Sequence, residues 1–141
     1  MYLHVPADAS ASKPCPLIII FTGLDGYRTE LAVWIEGWRR VGCACLVVEI
    51  PGTGDSPADR NDPLSADREW SSLLDWVDEQ KEIDSKKVIV WAFSTGGFYA
   101  IRAAHTHADR FMGVAALGGG VHHMFDPEWL SNANHLEYPF E

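Results

Sequence analysis

Four short apolar runs punctuate the chain at residues 17–21, 43–50, 87–92 and 112–117. The first, Leu17-Ile18-Ile19-Ile20-Phe21, has no polar alternation at all. Such a run suits a strand covered on both faces rather than one open to water. The stretches between the runs carry helical periodicity instead. Residues 30–41 place Leu31, Trp34, Ile35, Trp38 and Val41 on one stripe, with Thr29 as a candidate cap and Gly42 placed to end the helix. Residues 65–81 repeat the pattern with Trp70, Leu73, Leu74 and Val77 behind a candidate cap at Ser65. A third helix is expected over 95–107. Strand-helix-strand therefore occurs three times. Parallel neighbours need such crossovers, each right-handed. The pattern predicts an α/β fold: a doubly wound, mostly parallel sheet with helices on both faces. Residues 1–5 are a candidate edge strand.

Composition narrows the function. The 141 residues are 47% apolar and 22% charged, which allows one globular domain with a real core and excludes a disordered chain. With 11 basic and 20 acidic residues the net charge is −9, and no basic run offsets it. Nucleic acid and anionic membrane surfaces are therefore disfavoured as partners. No apolar run is long enough to span a membrane. The N-terminus lacks a basic segment followed by an apolar one, so no signal peptide is read and a cytoplasmic or other intracellular location is expected. Cys15, Cys43 and Cys45 are too few and too odd in number for a disulfide framework, and they read as small reduced core residues. No cofactor is expected. Residues 51–56, Pro-Gly-Thr-Gly-Asp-Ser, lack the Gly-Lys-Ser/Thr ending of a phosphate loop. His122, His123 and Asp126 have no recognised ligand spacing, so no metal is assigned.

The chemistry sits in Trp91-Ala92-Phe93-Ser94-Thr95-Gly96-Gly97. Ser94 follows an apolar strand and precedes a helix, with small residues two positions to either side. That is the G-x-S-x-G nucleophile elbow, with Ala92 in the first glycine's place. The sharp turn lifts the hydroxyl above the sheet and strains its backbone, and neighbouring chain comes close enough to forbid bulk at the flanks. The bland alternative is a serine that merely caps a helix. The elbow would also aim the Thr95 N–H at a developing oxyanion. A second donor is expected from the glycine-bearing loop Thr22-Gly23-Leu24-Asp25-Gly26, with the Leu24 N–H first and Gly23 next. The competing reading of that loop is a plain turn in which Asp25 bonds its own backbone.

These residues resemble the alpha/beta-hydrolases. Residues 18–30 (Ile-Ile-Ile-Phe-Thr-Gly-Leu-Asp-Gly-Tyr-Arg-Thr-Glu), residues 51–57 (Pro-Gly-Thr-Gly-Asp-Ser-Pro) and the elbow carry the likeness. With Val121-His122-His123 and the acidic, aromatic tail, the chain most resembles the fungal yellowish-green pigment hydrolases. The bacterial fermentation-respiration switch group is a relative. The resemblance implies a serine hydrolase working through an acyl-enzyme. It implies a small-molecule acyl or polyketide substrate, shortened by hydrolysis of a carbon–carbon bond beside a carbonyl in melanin and pigment biosynthesis. Ser94 matches the family nucleophile. The family's acid and histidine follow the nucleophile after a lid, and nothing here matches those positions.

The remaining candidates are weaker. His105 and His107 fall at the far end of the third helix and read as surface residues. His122 and His123 follow the fourth run and are candidate pocket residues, as are Gly23, Asp25 and Asp55. Asp55 reads as a turn residue near the pocket rather than the triad acid. Residues 1–120 are expected to form the nucleophile half of a hydrolase domain, and 121–141 to begin a lid. Late strands are expected to be missing, which would leave an exposed sheet edge and a chain that is inactive alone and prone to form homo-oligomers. Two alternatives stand beside the polyketide reading. One is a non-catalytic truncated paralogue. The other is a carboxylesterase or peptidase-like hydrolase of the same fold.

Overall fold

A computed structural model of the chain describes residues 1–59, 61–120 and 126–132. Ten elements run in order. They are β1 (Tyr2–His4), β2 (Cys15–Phe21), α1 (Ala32–Arg40), β3 (Ala44–Val48), α2 (Ser65–Asp78), β4 (Ile83–Phe93), α3 (Thr95–Thr106), a single 3-10 turn (Ala108–Arg110), β5 (Gly113–Leu117) and α4 (Pro127–Asn132). The five strands form one sheet in the order β1-β3-β2-β4-β5. All neighbours are parallel except β1, which runs antiparallel along β3 with Tyr2 opposite Val47. The expected α/β doubly wound sheet is therefore the observed one.

The order explains the two-sided burial. The chain steps from β2 to β3 in one direction, then crosses back over β2 to β4 and on to β5. Helices joining opposite steps pack on opposite faces when each crossover has the same hand. Accordingly Leu17, Ile19 and Phe21 of β2 share a core with Trp70, Leu73, Leu74 and Val77 of α2 and with Ala100 and Ala103 of α3. Ile18 and Ile20 face the other way, with Cys45, Val47 and Ile35 of α1. The Phe21 and Trp70 rings stack at 4.5 Å. The Trp70–Val77 stripe is wholly buried, as its spacing predicts. On the other face α1 provides the helical cover among the described residues. There Trp34 stays 52% exposed although its ring meets Trp91 edge-on at 4.9 Å.

Several boundaries differ from the sequence expectation. Thr29 caps nothing: α1 begins at Ala32 behind Leu31, with no side-chain cap. Arg28 is drawn to the end of β3, so the chain cannot start a helix until it has passed that anchor. Ser65 is not a cap but the first helical residue of α2, and its Oγ accepts the Asp59 N–H at 2.6 Å. The helix ends at Asp78 rather than at residue 81. β4 starts at Ile83, well before 87, because Ile83 pairs with Cys15 across a register shift. Gly42 does close α1, at φ +84°. Cys45 is fully buried and Cys43 half-buried against the α1-side core, while Cys15 lines the opposite one. Burial pushes the Cys45 thiol up to about 12, which keeps it protonated and inert at neutral pH. Among the described residues no helix is long and apolar enough to cross a membrane.

Candidate active site

Strand register sets the site. Phe21 pairs with Ala92 and Val48 with Phe21, so β2, β3 and β4 end level with one another. The chain leaves β2 toward one side of the sheet and β4 toward the other. Ligands of open α/β sheets bind in the crevice formed at such a reversal, beyond the carboxyl ends of the strands.

Ser94 stands at that crevice. Its backbone has φ 53° and ψ −132°, and it is the only non-glycine residue with positive φ among the described residues. Such a conformation costs about 1–3 kcal/mol and persists only where the surroundings enforce it. Two contacts enforce it here. The Ser94 N–H donates to the Leu117 carbonyl at 2.8 Å, and the Ser94 carbonyl accepts the Gly97 N–H at 2.9 Å. The side chain remains exposed while Thr95, Gly96 and Gly97 are buried. The small flanks have a measurable reason. A Cβ on Gly96 would lie 2.9 Å from the Phe21 carbonyl oxygen and closer still to that of Thr22. One on Gly97 would lie 2.8 Å from the Gly119 Cα. Ala92, fully buried between its strand partners Phe21 and Ala116, takes the first small position.

The loop after β2 meets this elbow. A Cβ on Gly23 would come within 3.3 Å of the Ser94 Cβ and 3.7 Å of its Oγ, so the bare backbone of Gly23 lies against the hydroxyl. The N–H groups of Gly23 and Leu24 have no hydrogen-bond partner among the described residues. The Asp25 carboxylate makes no bond to its own backbone. Both loop N–H groups are thus open to an acceptor. The Thr95 N–H, in the first turn of α3, has no intrahelical acceptor either. Two buried hydroxyls, Thr22 Oγ1 and Thr95 Oγ1, also lack hydrogen-bond partners among the described residues.

The histidines do not converge here. His105 is exposed and His107 half-buried at the far end of α3, about 18 Å along a helix of this length from Ser94. His107 is spoken for: its Nε2 pairs with the Ser71 hydroxyl at 2.9 Å and its Nδ1 with Thr106 at 2.7 Å. His122 and His123 lie outside the described residues. Among the described residues no group of three His, Cys, Asp or Glu side chains is placed to hold a metal.

Asp55 lies beside the site, but as an ion-pair partner. Its carboxylate takes Arg28 Nη2 at 2.5 Å while the side chain stays 76% exposed. Behind it lies a residue that sequence reading missed. Glu49 is 4% exposed, and one of its oxygens receives both Arg28 Nη1 at 2.5 Å and the Asp55 N–H at 2.7 Å. The signal available was a lone acidic residue inside the otherwise apolar run 43–50. A cavity of about 660 Å³ is lined by Glu49, by residues 55–59 and by Ser65, Glu69, Leu73 and Trp76 of α2. Ser94 does not line it. Burial raises the Glu69 carboxyl there above the usual range, against a hydrogen bond from Ser56.

Comparison with known proteins agrees with the geometry. A family model described as Esterase FrsA-like matches residues 1–136. Esterase FrsA of Photorhabdus laumondii subsp. laumondii is 28% identical over 134 residues, which are 93% of this chain and 30% of that protein. Esterase FrsA of Yersinia pestis is 27% identical over 126 residues, 87% of this chain and 29% of the relative. The solved structure of AbyA5 superposes with a TM-score of 0.74 at 28% identity, over 92% of this chain and 38% of that one. Est1E from Butyrivibrio proteoclasticus, solved with ferulic acid bound, gives 0.64 at 22% identity over 80% and 45%, a likeness of fold alone. The chain thus spans about 30% of the length of the curated relatives it matches. The elbow, the crevice at the sheet reversal and the family match over residues 1–136 meet in one statement: the chain belongs to the FrsA-like esterase family and carries part of an alpha/beta-hydrolase fold.

Proposed function

We propose that this chain supplies the nucleophile half of a serine esterase that works through an acyl-enzyme. The observation that carries the reading is Ser94: a strained, exposed serine at a strand-to-helix turn, with bare glycine backbone against its hydroxyl. Ser94 Oγ would attack the acyl carbon of the substrate while a base takes the hydroxyl proton. The Leu24 and Thr95 N–H groups, with Gly23 beside them, would receive the oxyanion. Collapse expels the alcohol, which leaves with that proton, and water then releases the acid and restores the serine. No metal or cofactor enters this scheme. A serine hydroxyl is a weak nucleophile without a base, and no histidine among the described residues reaches Ser94. The base and its acid partner are therefore to be sought among other residues of the enzyme, with His122 and His123 as pocket candidates rather than the base. Residues 121–141 would begin a lid.

The substrate reading that goes furthest is a polyketide shortened at a carbon–carbon bond beside a carbonyl. Its support is the likeness of the three quoted segments to the pigment hydrolases. The competing reading, a non-catalytic paralogue, is supported by the lack of a histidine beside Ser94 among the described residues. A fluorophosphonate probe separates them. Labelling at Ser94, abolished in Ser94→Ala, together with turnover of p-nitrophenyl esters, supports the esterase. No labelling in this chain or in the longest protein containing it overturns it. Release of a short β-keto acid from an aromatic polyketide supports the finer reading. Turnover of simple esters alone removes it.

A further inference from the structure

Glu49, directly after β3, is a carboxylate with almost no contact with water, at 4% exposure. A buried carboxylate is expensive unless it is fully bonded. Here its bonds go to two loops rather than to its own strand. From the loop after β2 it receives Arg28 Nη1 at 2.5 Å and the Arg28 N–H at 3.4 Å. From the loop after β3 it receives the Asp55 N–H at 2.7 Å. Arg28 closes the circuit. Its second Nη holds Asp55, and its guanidinium lies 4.9 Å above the ring of Tyr2 on the edge strand. The chain has made room for the carboxylate. Gly54 sits at φ +48°, where a Cβ would fall 2.5 Å from each Glu49 oxygen.

Arg28 and Gly23 belong to the same loop, and Gly23 is the residue against the Ser94 hydroxyl. The loop has little else to hold it. Among the described residues, apart from a turn in which the Glu30 N–H donates to Tyr27 and a long bond of 3.4 Å from the Thr22 N–H to Val48, its backbone N–H groups from 22 to 30 make only the hydrogen bond to Glu49. From this we infer that Glu49 is a positioning residue: through Arg28 it holds the loop after β2 so that the Gly23 and Leu24 N–H groups face Ser94. Glu49 does not touch substrate. It rigidifies the donors, and a donor misplaced by a fraction of an ångström stabilises an oxyanion poorly. The catalytic consequence rests on the serine-esterase reading above; the clamp itself does not.

Two measurements test it. The first is amide hydrogen exchange on the chain, comparing wild type with Glu49→Gln and with the milder Arg28→Lys. Exchange at the Thr22 and Glu30 amides, the hydrogen-bonded donors at the two ends of this loop, is expected to rise at least tenfold in Glu49→Gln and by a smaller factor in Arg28→Lys, while residues 88–92 of β4 keep their protection. Unchanged exchange at Thr22 and Glu30 in a folded variant overturns the clamp, as does a uniform rise across the sheet in both variants. The second is turnover of p-nitrophenyl esters by the longest protein containing this chain, normalised to the sites a fluorophosphonate titrates. Here kcat per titrated site is expected to fall ten- to a hundredfold in Glu49→Gln, with KM within about twofold and affinity for a trifluoromethyl ketone falling in step with kcat. Equal kcat per titrated site with only a lower melting temperature would make Glu49 purely structural and overturn the inference. A wild type that neither labels nor turns over ester sinks the esterase reading alone, because the exchange result still decides the clamp.

Discussion

Gly96 and Gly97 fix the elbow by pressing backbone against backbone, the one under the carbonyls of residues 21 and 22, the other against Gly119. The facing loop, residues 22–30, is fixed by charge: a buried carboxylate one strand away reaches an arginine within it. One half of the crevice is thus held by steric exclusion at two adjacent glycines. The other is held by an ion pair between residues 21 apart. Steric exclusion is unforgiving, since a methyl group in a space of that size has nowhere to go. An ion pair depends on exclusion of water and can be weakened by degrees.

The harshest break of the comparison is Gly96→Ala. The added carbon would overlap two backbone carbonyls that cannot swing aside. The expected loss is more than about 3 kcal/mol, the upper range for overpacking against rigid neighbours. Chemical denaturation should show it, or the variant should fail to accumulate folded. A loss under about 1 kcal/mol would mean that α3 can slide relative to β2, and the steric account of the elbow would be wrong.

The strain at Ser94 gives the next largest effect, with the opposite sign. Glycine adopts φ 53° without penalty, so Ser94→Gly should stabilise the fold by about 1 kcal/mol while abolishing fluorophosphonate labelling. Ser94→Ala keeps the strained backbone and should be nearly neutral in stability. The difference between these two melting curves measures the strain directly. If glycine stabilises no more than alanine, the turn is not strained.

These two segments also differ in how far the sequence announced them. The elbow was legible because its requirement is local: an apolar strand, a serine and small residues two positions to either side. The sheet was legible for the same reason, since runs such as 17–21 and the Trp70–Val77 stripe state their own burial. Helix starts were not. Thr29 and Ser65 have the right chemistry for caps, yet Ser65 bonds Asp59 and the chain near Thr29 answers to Arg28. Both effects come from residues outside the helix concerned. Glu49 was invisible for the same reason, because a carboxylate at the end of an apolar run acquires meaning only when Arg28 and Asp55 are folded onto it. Asp55 sits in a turn, as its sequence suggests, and its carboxylate and N–H also tie it to Arg28 and Glu49.

A subtler probe lies under the crevice. Thr22 Oγ1 is buried without a hydrogen-bond partner. Valine has nearly the same shape and carries no hydroxyl to desolvate. Thr22→Val should therefore leave stability unchanged or raise it by about 1 kcal/mol. A loss of more than that, read in the same denaturation assay, would show that the hydroxyl is solvated in place. Charge and ordered solvent would then share the work of holding the loop that Glu49 is assigned here.

The smallest effect tests whether burial, rather than charge alone, makes the Glu49 pair strong. Asp67 of α2 and Arg102 of α3 form a two-pronged pair at 2.7 and 2.8 Å, far from the crevice. Their side chains are 23% and 29% exposed, against 3% for Glu49. Arg102 holds the Asp67 carboxyl below its ordinary 3.8, with burial pulling weakly the other way. A carboxylate whose folded pKa is depressed adds stability above its unfolded pKa. That contribution fades as pH falls through the lower folded value. At neutral pH Asp67→Asn should therefore cost only about 0.5–1 kcal/mol, reduced by solvent screening and further by added salt. The gap from wild type should close as the pH drops below the ordinary aspartate range. Urea midpoints at pH 7 and in strong acid would show it. Loss of the Glu49 carboxylate should be less sensitive to salt, because ions cannot reach a group so nearly sealed from solvent. If the two pairs respond alike to salt, the crevice is wetter than its geometry implies, and the loop opposite Ser94 is held by something other than its buried carboxylate.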